Sequence, residues 1–147
     1  MDLSQDARPG ITHHKMIIDG SAVDSISGDR INIECPANKQ IFASVPRGGI
    51  EDVEKAVTAA TSSFAAWSSI APRERGRLLL KIADALEPEI EPLACIIAKE
   101  TGNAIRTQAR PEAMSVVEIF RYFGGLGSEL KGETIPLGET VLSYTRR

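Results

Sequence analysis

The hydrophobic period of this chain switches near residue 50, and that switch narrows the folds open to it. Between Met16 and Val45 short stretches alternate polar and apolar residues at period 2, whereas from Val53 to Phe123 apolar residues recur at the 3.6-residue spacing of helices. Strands gathered at one end and helices at the other predict an α+β fold, without the repeating βαβ units of a complete Rossmann sheet. At about 150 residues per domain, 147 residues predict one unit able to bury about two-thirds of its unfolded surface.

Met16-Ile17-Ile18 and Ser21-Ala22-Val23-Asp24 flank Asp19-Gly20, a dipeptide that closes hairpins. Arg30 to Glu34 alternates, stops at Cys35-Pro36, and resumes over Ile41 to Val45 before Pro46, so four strands within 16–46 predict a small antiparallel β-meander. About four helices follow over 50–130. The first carries Val53, Ala56, Val57, Ala60, Phe64 and Trp67 on one stripe, predicted to be core. A second opens at Pro72 with Leu78, Leu79, Ile82, Ala83 and Leu86. A third starts between Pro88 and Pro92 and ends at Gly102, and a fourth opens at Pro111 with Ala113, Val116, Val117, Phe120 and Phe123 inward. Residues 1–15 lack any period and read as a loosely held, flexible leader, and 139–147 read as a terminal strand with exposed pairing groups.

Composition excludes several function classes. Seventeen basic against 20 acidic residues leave a net charge of -3 with no basic patch for nucleic acid or anionic lipid, and no apolar run approaches the roughly 20 residues of a membrane span. Two cysteines 60 residues apart outline no disulfide framework and fit a reducing, cytoplasmic setting. His13 and His14 are the sole imidazoles and lie in the leader, so neither a Cys-His nor a Ser-His-Asp device is expected.

Other chemical candidates read as structural. Gly124-Gly125-Leu126-Gly127 follows a helix, not a strand, and Leu130 stands where a phosphate fingerprint needs glycine, so a helix end or close packing is expected. Glu87, Glu89 and Glu91 read as the solvated start of the third helix. Glu100, near a helix C-terminus that disfavours an anion, needs either solvent or a cationic partner; Cys95 reads as a small core residue.

Several runs, taken in order, carry a resemblance: Ile17-Ile18-Asp19-Gly20, Pro36-Ala37-Asn38-Lys39, Glu51-Asp52-Val53, Phe64-Ala65 with Trp67, Pro72-Arg73-Glu74-Arg75 and Glu100-Thr101-Gly102. Phe120-Arg121-Tyr122-Phe123, Gly132-Glu133-Thr134-Ile135-Pro136 and Ser143-Tyr144-Thr145-Arg146-Arg147 extend it. Over about residues 16–147 the chain resembles the N-terminal portion of the NAD(P)-dependent aldehyde dehydrogenase superfamily. The resemblance implies that 16–138 form the N-terminal lobe of that fold and 139–147 the first strand of an oligomerisation arm.

Family members oxidise an aldehyde to a carboxylic acid with NAD or NADP, by thiolate attack, hydride transfer and thioester hydrolysis. No residue of this chain matches the catalytic cysteine, the general base or the dinucleotide site. The resemblance therefore implies no cofactor in this chain, a structural role inside a parent enzyme, and the remainder of that enzyme as partner. A stand-alone module that pairs with a full-length relative is the alternative. The resemblance further implies a homo-oligomer joined through Val141, Leu142, Ser143, Tyr144, Thr145, Arg146 and Arg147. It places Ser115 and Ile119 on an aldehyde access tunnel, with core packing as the competing reading of Ile119. It also places a monovalent cation at Ile33, Glu34 and Glu100, although family members commonly have aspartate at the last of these.

Overall fold

The computed structural model describes residues 10–129 and 131–146. The first nine residues of the expected leader, Leu130 and the arm residue Arg147 lie outside the described residues. The strands are β1 (Thr12–His13), β2 (Met16–Ile18), β3 (Ser21–Val23), β4 (Arg30–Cys35) and β5 (Gln40–Pro46). Four helices follow, α1 (Ile50–Ser69), α2 (Pro72–Leu86), α3 (Ile90–Thr101) and α4 (Arg110–Leu126), then β6 (Thr134–Pro136) and β7 (Leu142–Tyr144). The fold is α+β with small sheets, as the period switch predicts.

The expected single meander is instead two sheets. Asp19 and Gly20, both at positive φ, close β2 on β3 with Met16 opposite Val23. The Ser25–Asp29 turn, pinned by Ser25 Oγ donating to Asp29 O at 2.9 Å, then carries the chain away, so that among the described residues β4 pairs with β5 and not with β3. The other edge of β5 is taken by β1, in parallel, with Thr12 opposite Ala43 and His13 opposite Ser44.

This part of the leader is therefore sheet, not a loosely held tail. His13 Nδ1 hydrogen-bonds with the buried Ser44 Oγ at 2.7 Å, and His14 N donates to Ser44 O. Arg30 locks the corner, its Nε donating to Ser44 Oγ at 2.8 Å and its Nη1 to Asp24 Oδ1 at 2.9 Å.

The helices form where the caps and prolines place them. Pro72 opens α2, a 3-10 turn at Glu87–Glu89 absorbs Pro88, and α3 begins at Ile90 and stops at left-handed Gly102. A π-helical turn at Ile105–Ala109, which apolar spacing does not reveal, leads into α4. The buried apolar residues of the helices are small: Ala83, Ala94, Ala109, Ala113 and Val117. Gly76 and Gly124 allow α2 and α4 to touch through backbone, which confirms close packing as the reason for the glycine run.

Several stripes turn outward instead of inward. On α1, Val53, Val57, Phe64 and Trp67 are 59%, 58%, 65% and 44% exposed, because this helix meets the rest of the fold essentially at the β2–β3 hairpin. Truncating Trp67 therefore does not open a core cavity in this chain, contrary to the expectation from the stripe. On α2, Leu79, Ala83 and Leu86 face inward while Leu78 and Ile82 remain exposed; on α4, Ala113, Val116, Val117 and Phe120 face inward but Phe123 does not. Cys95 is exposed and not core, since α3 turns Ala94 and Ile97 inward. No helix among the described residues is long and apolar enough to cross a membrane.

Candidate assembly site

The chain exposes 11489 Å² at a mass of 15.9 kDa, against about 7,300 Å² for a compact monomer of that size. It thus buries about half of its unfolded surface, not the expected two-thirds. The difference exceeds the roughly 800 Å² that one partner contributes to a standard interface. Three exposed apolar surfaces stand out among the described residues.

The first is the α1 stripe, held in place by Asp52. This buried carboxylate accepts from Gly49 N at 2.9 Å and from Ile26 N at 3.2 Å, so it caps α1 and fastens it to the loop after β3. At the far end, Arg75 Nη1 donates to Ile70 O at 2.7 Å, supplying a cation where the dipole favours one. The acid-after-Gly-Gly pattern at Gly48-Gly49-Ile50-Glu51-Asp52 carries a readable capping signal for Asp52. Arg30 and Ser44 have none, since their partners depend on the fold.

The outer face of α4 is the second surface. Ser115 is exposed with its Oγ donating to Glu112 O at 2.7 Å, and Ile119, one turn on, is exposed as well, so core packing does not explain Ile119 here. Tyr122 and Phe123 continue the face as a T-shaped pair with ring centroids 5.3 Å apart.

The arm is the third. The expectation of an unpaired terminal strand gives way to a hairpin in which β7 pairs with β6, Thr134 opposite Tyr144 and Pro136 opposite Leu142. Gly138, at φ 123, permits the turn, and Thr145 N donates to Glu133 O at 2.9 Å. Val141, Leu142, Tyr144, Thr145 and Arg146 are exposed and Ser143 half-buried, so the apolar side chains of the hairpin stay uncovered.

Of the residues that the resemblance places at a cation, Ile33 and Glu34 lie on β4 and Glu100 on α3. α3 packs along β4, and its terminal Gly102 abuts the Pro36 side chain. At Ile33/Glu34 a bulge breaks the β4–β5 ladder. Glu34 and Glu100 are both exposed, which gives Glu100 the solvent that a helix C-terminus demands.

Glu87 and Glu91, at the start of α3, are paired and not merely solvated, because α4 brings arginines to them, whereas Glu89 stays exposed. Arg110 grips both carboxylate oxygens of Glu91, and Arg121 Nη2 donates to Glu87 Oε2 at 2.7 Å. The hydrogen bonds from Arg110 hold the Glu91 carboxyl below its ordinary range, and Glu91 in turn raises Arg110. A depressed carboxylate contributes stability above its unfolded value and loses it as pH falls through the lower folded value. Arg110→Ala should therefore return the Glu91 titration upward and flatten the acid limb of the melting profile. NMR titration of the Glu91 side-chain carboxyl checks this, and an unmoved midpoint contradicts the pairing.

Helix α2 leaves no room for a dinucleotide at Gly124 or Gly127, where an added Cβ would meet Leu80 and Pro72 O, each at 2.9 Å; beside Gly125 nothing lies within 4 Å. Among the described residues no group of three His, Cys, Asp or Glu side chains could hold a metal ion.

Comparison with known proteins closes the description. The profile of the aldehyde dehydrogenase family matches residues 23–147. The fold is similar to PnpE from Pseudomonas sp. WBC-3, at 36% identity over 90% of this chain and 27% of that one, TM-score 0.80. It is similar to an NAD-dependent aldehyde dehydrogenase from Sinorhizobium meliloti, at 34% identity over 92% and 28%, TM-score 0.80. It also resembles the NAD+ complex of the Bacillus cereus aldehyde dehydrogenase, at 33% identity over 91% and 28%, TM-score 0.83. The chain spans little more than a quarter of the length of these structures.

Proposed function

This chain belongs to the aldehyde dehydrogenase family, and from that premise we propose that it is the N-terminal lobe of an NAD(P)-dependent enzyme that oxidises an aldehyde to a carboxylic acid. Its contribution is structural. The observation that carries this reading is the uncovered apolar surface of α1, α4 and the arm in a chain that matches only 27–28% of its relatives. Apolar faces of this size mark interaction sites, and a polypeptide of the length of those relatives supplies the material to cover them.

Within that reading each surface has a task. The β6–β7 hairpin offers a free edge to its twin in a second subunit, a closed arrangement that removes unpaired N–H and C=O groups and makes a homo-oligomer. Ser115 and Ile119 line the aldehyde access tunnel, a role their outward direction on α4 supports. Ile33, Glu34 and Glu100 hold a monovalent cation, supported by the bulge and by oxygen donors that suit a hard ion. Hydride transfer and thiolate chemistry are assigned to no residue of this chain.

A chimera tests the proposal. The Sinorhizobium meliloti enzyme with this chain grafted over the matching 28% of its length should be soluble and should oxidise aldehydes with NAD, while this chain alone should not. A chimera that is insoluble or inactive, beside an active parent enzyme, would overturn the reading.

A further inference from the structure

The best-defined uncovered surface is the outward stripe of α1, and its chemistry says what it takes. Between Lys55 and Arg73 no residue carries a charge, an unusual stretch for a helix whose side chains are nearly all exposed. The hydroxyls along it are already satisfied. Thr61 Oγ1 donates to Val57 O at 2.8 Å and Ser63 Oγ to Ala59 O at 3.0 Å, on the two sides of the stripe, and Ser68 Oγ donates to Ala65 O at 3.1 Å. A partner covering the stripe would strand none of these hydroxyls without a hydrogen bond, and the Trp67 indole N–H is the donor that it would have to meet.

The shape of the surface narrows the partner further. Ala56, Ala60 and Ser63 form a low floor beside the taller Val53, Val57, Phe64 and Trp67, on the side of the hairpin, and Ile17 of β2, 70% exposed, stands across a groove of ≈310 Å³ from them. The one charged residue lining that groove is Asp19 in the hairpin turn. The groove on the other side of the hairpin is lined by Glu51, Glu54 and Lys55, so the two flanks of α1 differ in charge. Alternating tall and small residues at helical spacing receive the side-chain ridge of a second helix, with axes 8–10 Å apart in typical packings.

We infer that the Val53–Trp67 stripe of α1, with Ile17, is the seat of one uncharged, apolar-faced helix from the polypeptide that completes the enzyme. This inference rests on the reading of the chain as an N-terminal lobe. Relatives that extend over more than three times its length supply such a segment, and the neutral stripe selects an uncharged face.

The grafted enzyme separates the two claims. In the chimera, Val57→Glu and Ala60→Glu should each lower recovered soluble activity by about tenfold or more, because an unpaired carboxylate would be buried. Ser62→Glu, on the opposite side of α1, should leave activity unchanged. In the 147-residue chain alone all three variants should melt with wild-type midpoints, since these positions are exposed there. An active chimera indifferent to Val57→Glu and Ala60→Glu overturns the helix seat while the lobe reading survives. Equal losses in the isolated chain overturn it too, by showing a folding defect and not a docking one. An inactive parental chimera overturns the lobe reading, and this inference with it.

Discussion

Gly76→Ala should destabilise the helical half of this protein by about 3 kcal/mol, although alanine is ordinarily the better helix former. In an exposed helix the change gains up to about 1 kcal/mol, because glycine loses more backbone entropy on folding. Here a Cβ at Gly76 would sit 2.5 Å from Gly124 O and 3.5 Å from Gly127 Cα. Those are backbone atoms of α4 and the residue just after it, which cannot swing aside as a flexible side chain could. α2 and α4 would have to separate at their closest approach, and inserting volume into a close-packed contact costs about 1–3 kcal/mol or more.

The surrounding core has little with which to absorb the shift, since its buried members are alanines and one valine. At this chain length a loss of 3 kcal/mol lowers the melting midpoint by about 10 °C. Thermal melts followed by far-ultraviolet circular dichroism measure it. A midpoint equal to or above wild type would show that propensity outweighs the clash.

Asp52→Ala should release α1 while leaving α2, α3 and α4 folded. The carboxylate satisfies Gly49 N at the start of α1 and Ile26 N in the loop after β3, and it is buried. Its removal costs about 1 kcal/mol as a lost cap and about 0.5–1.5 kcal/mol more for the lost hydrogen bond from Ile26 N. In a well-packed helix that sum would be spread over the whole fold. α1 has few other attachments, so the loss falls on its docking alone. Hydrogen exchange should show protection collapsing across 50–69 with α2 to α4 unchanged, and Asp52→Asn, which keeps an acceptor, should fall between. Uniform loss over all four helices, or none, would contradict this view of the tether.

These two residues show how unevenly the fold is written along the chain. Asp52 is legible, because an acidic residue three positions after a glycine N-cap is a local signal with a local partner. Gly76 is not, since a glycine on the second helix reads as a weak point until α4 arrives against it. The same division runs through the strands: Asp19-Gly20 announces its own hairpin, whereas the parallel pairing of β1 with β5 joins residues 31 apart and has no local mark. Glu87 and Glu91 read as solvated because their arginines lie 34 and 19 residues away.

Sequence by itself determined the change from strands to helices, the start of α2 at Pro72 and of α3 between Pro88 and Pro92, the stop at Gly102 and the family resemblance. Each of these is encoded by neighbours within a few residues or by ordered identity along the chain. Tertiary structure alone decided which apolar faces are covered, that the meander is two sheets, that β7 folds back on β6, and that Cys95 and Trp67 face outward. Periodicity reports that one side of a helix is apolar and leaves open what lies against it. Val117 and Trp67 both sit on apolar stripes, yet α4 packs its inner face on α2 and α3, while no element among the described residues covers the stripe of α1.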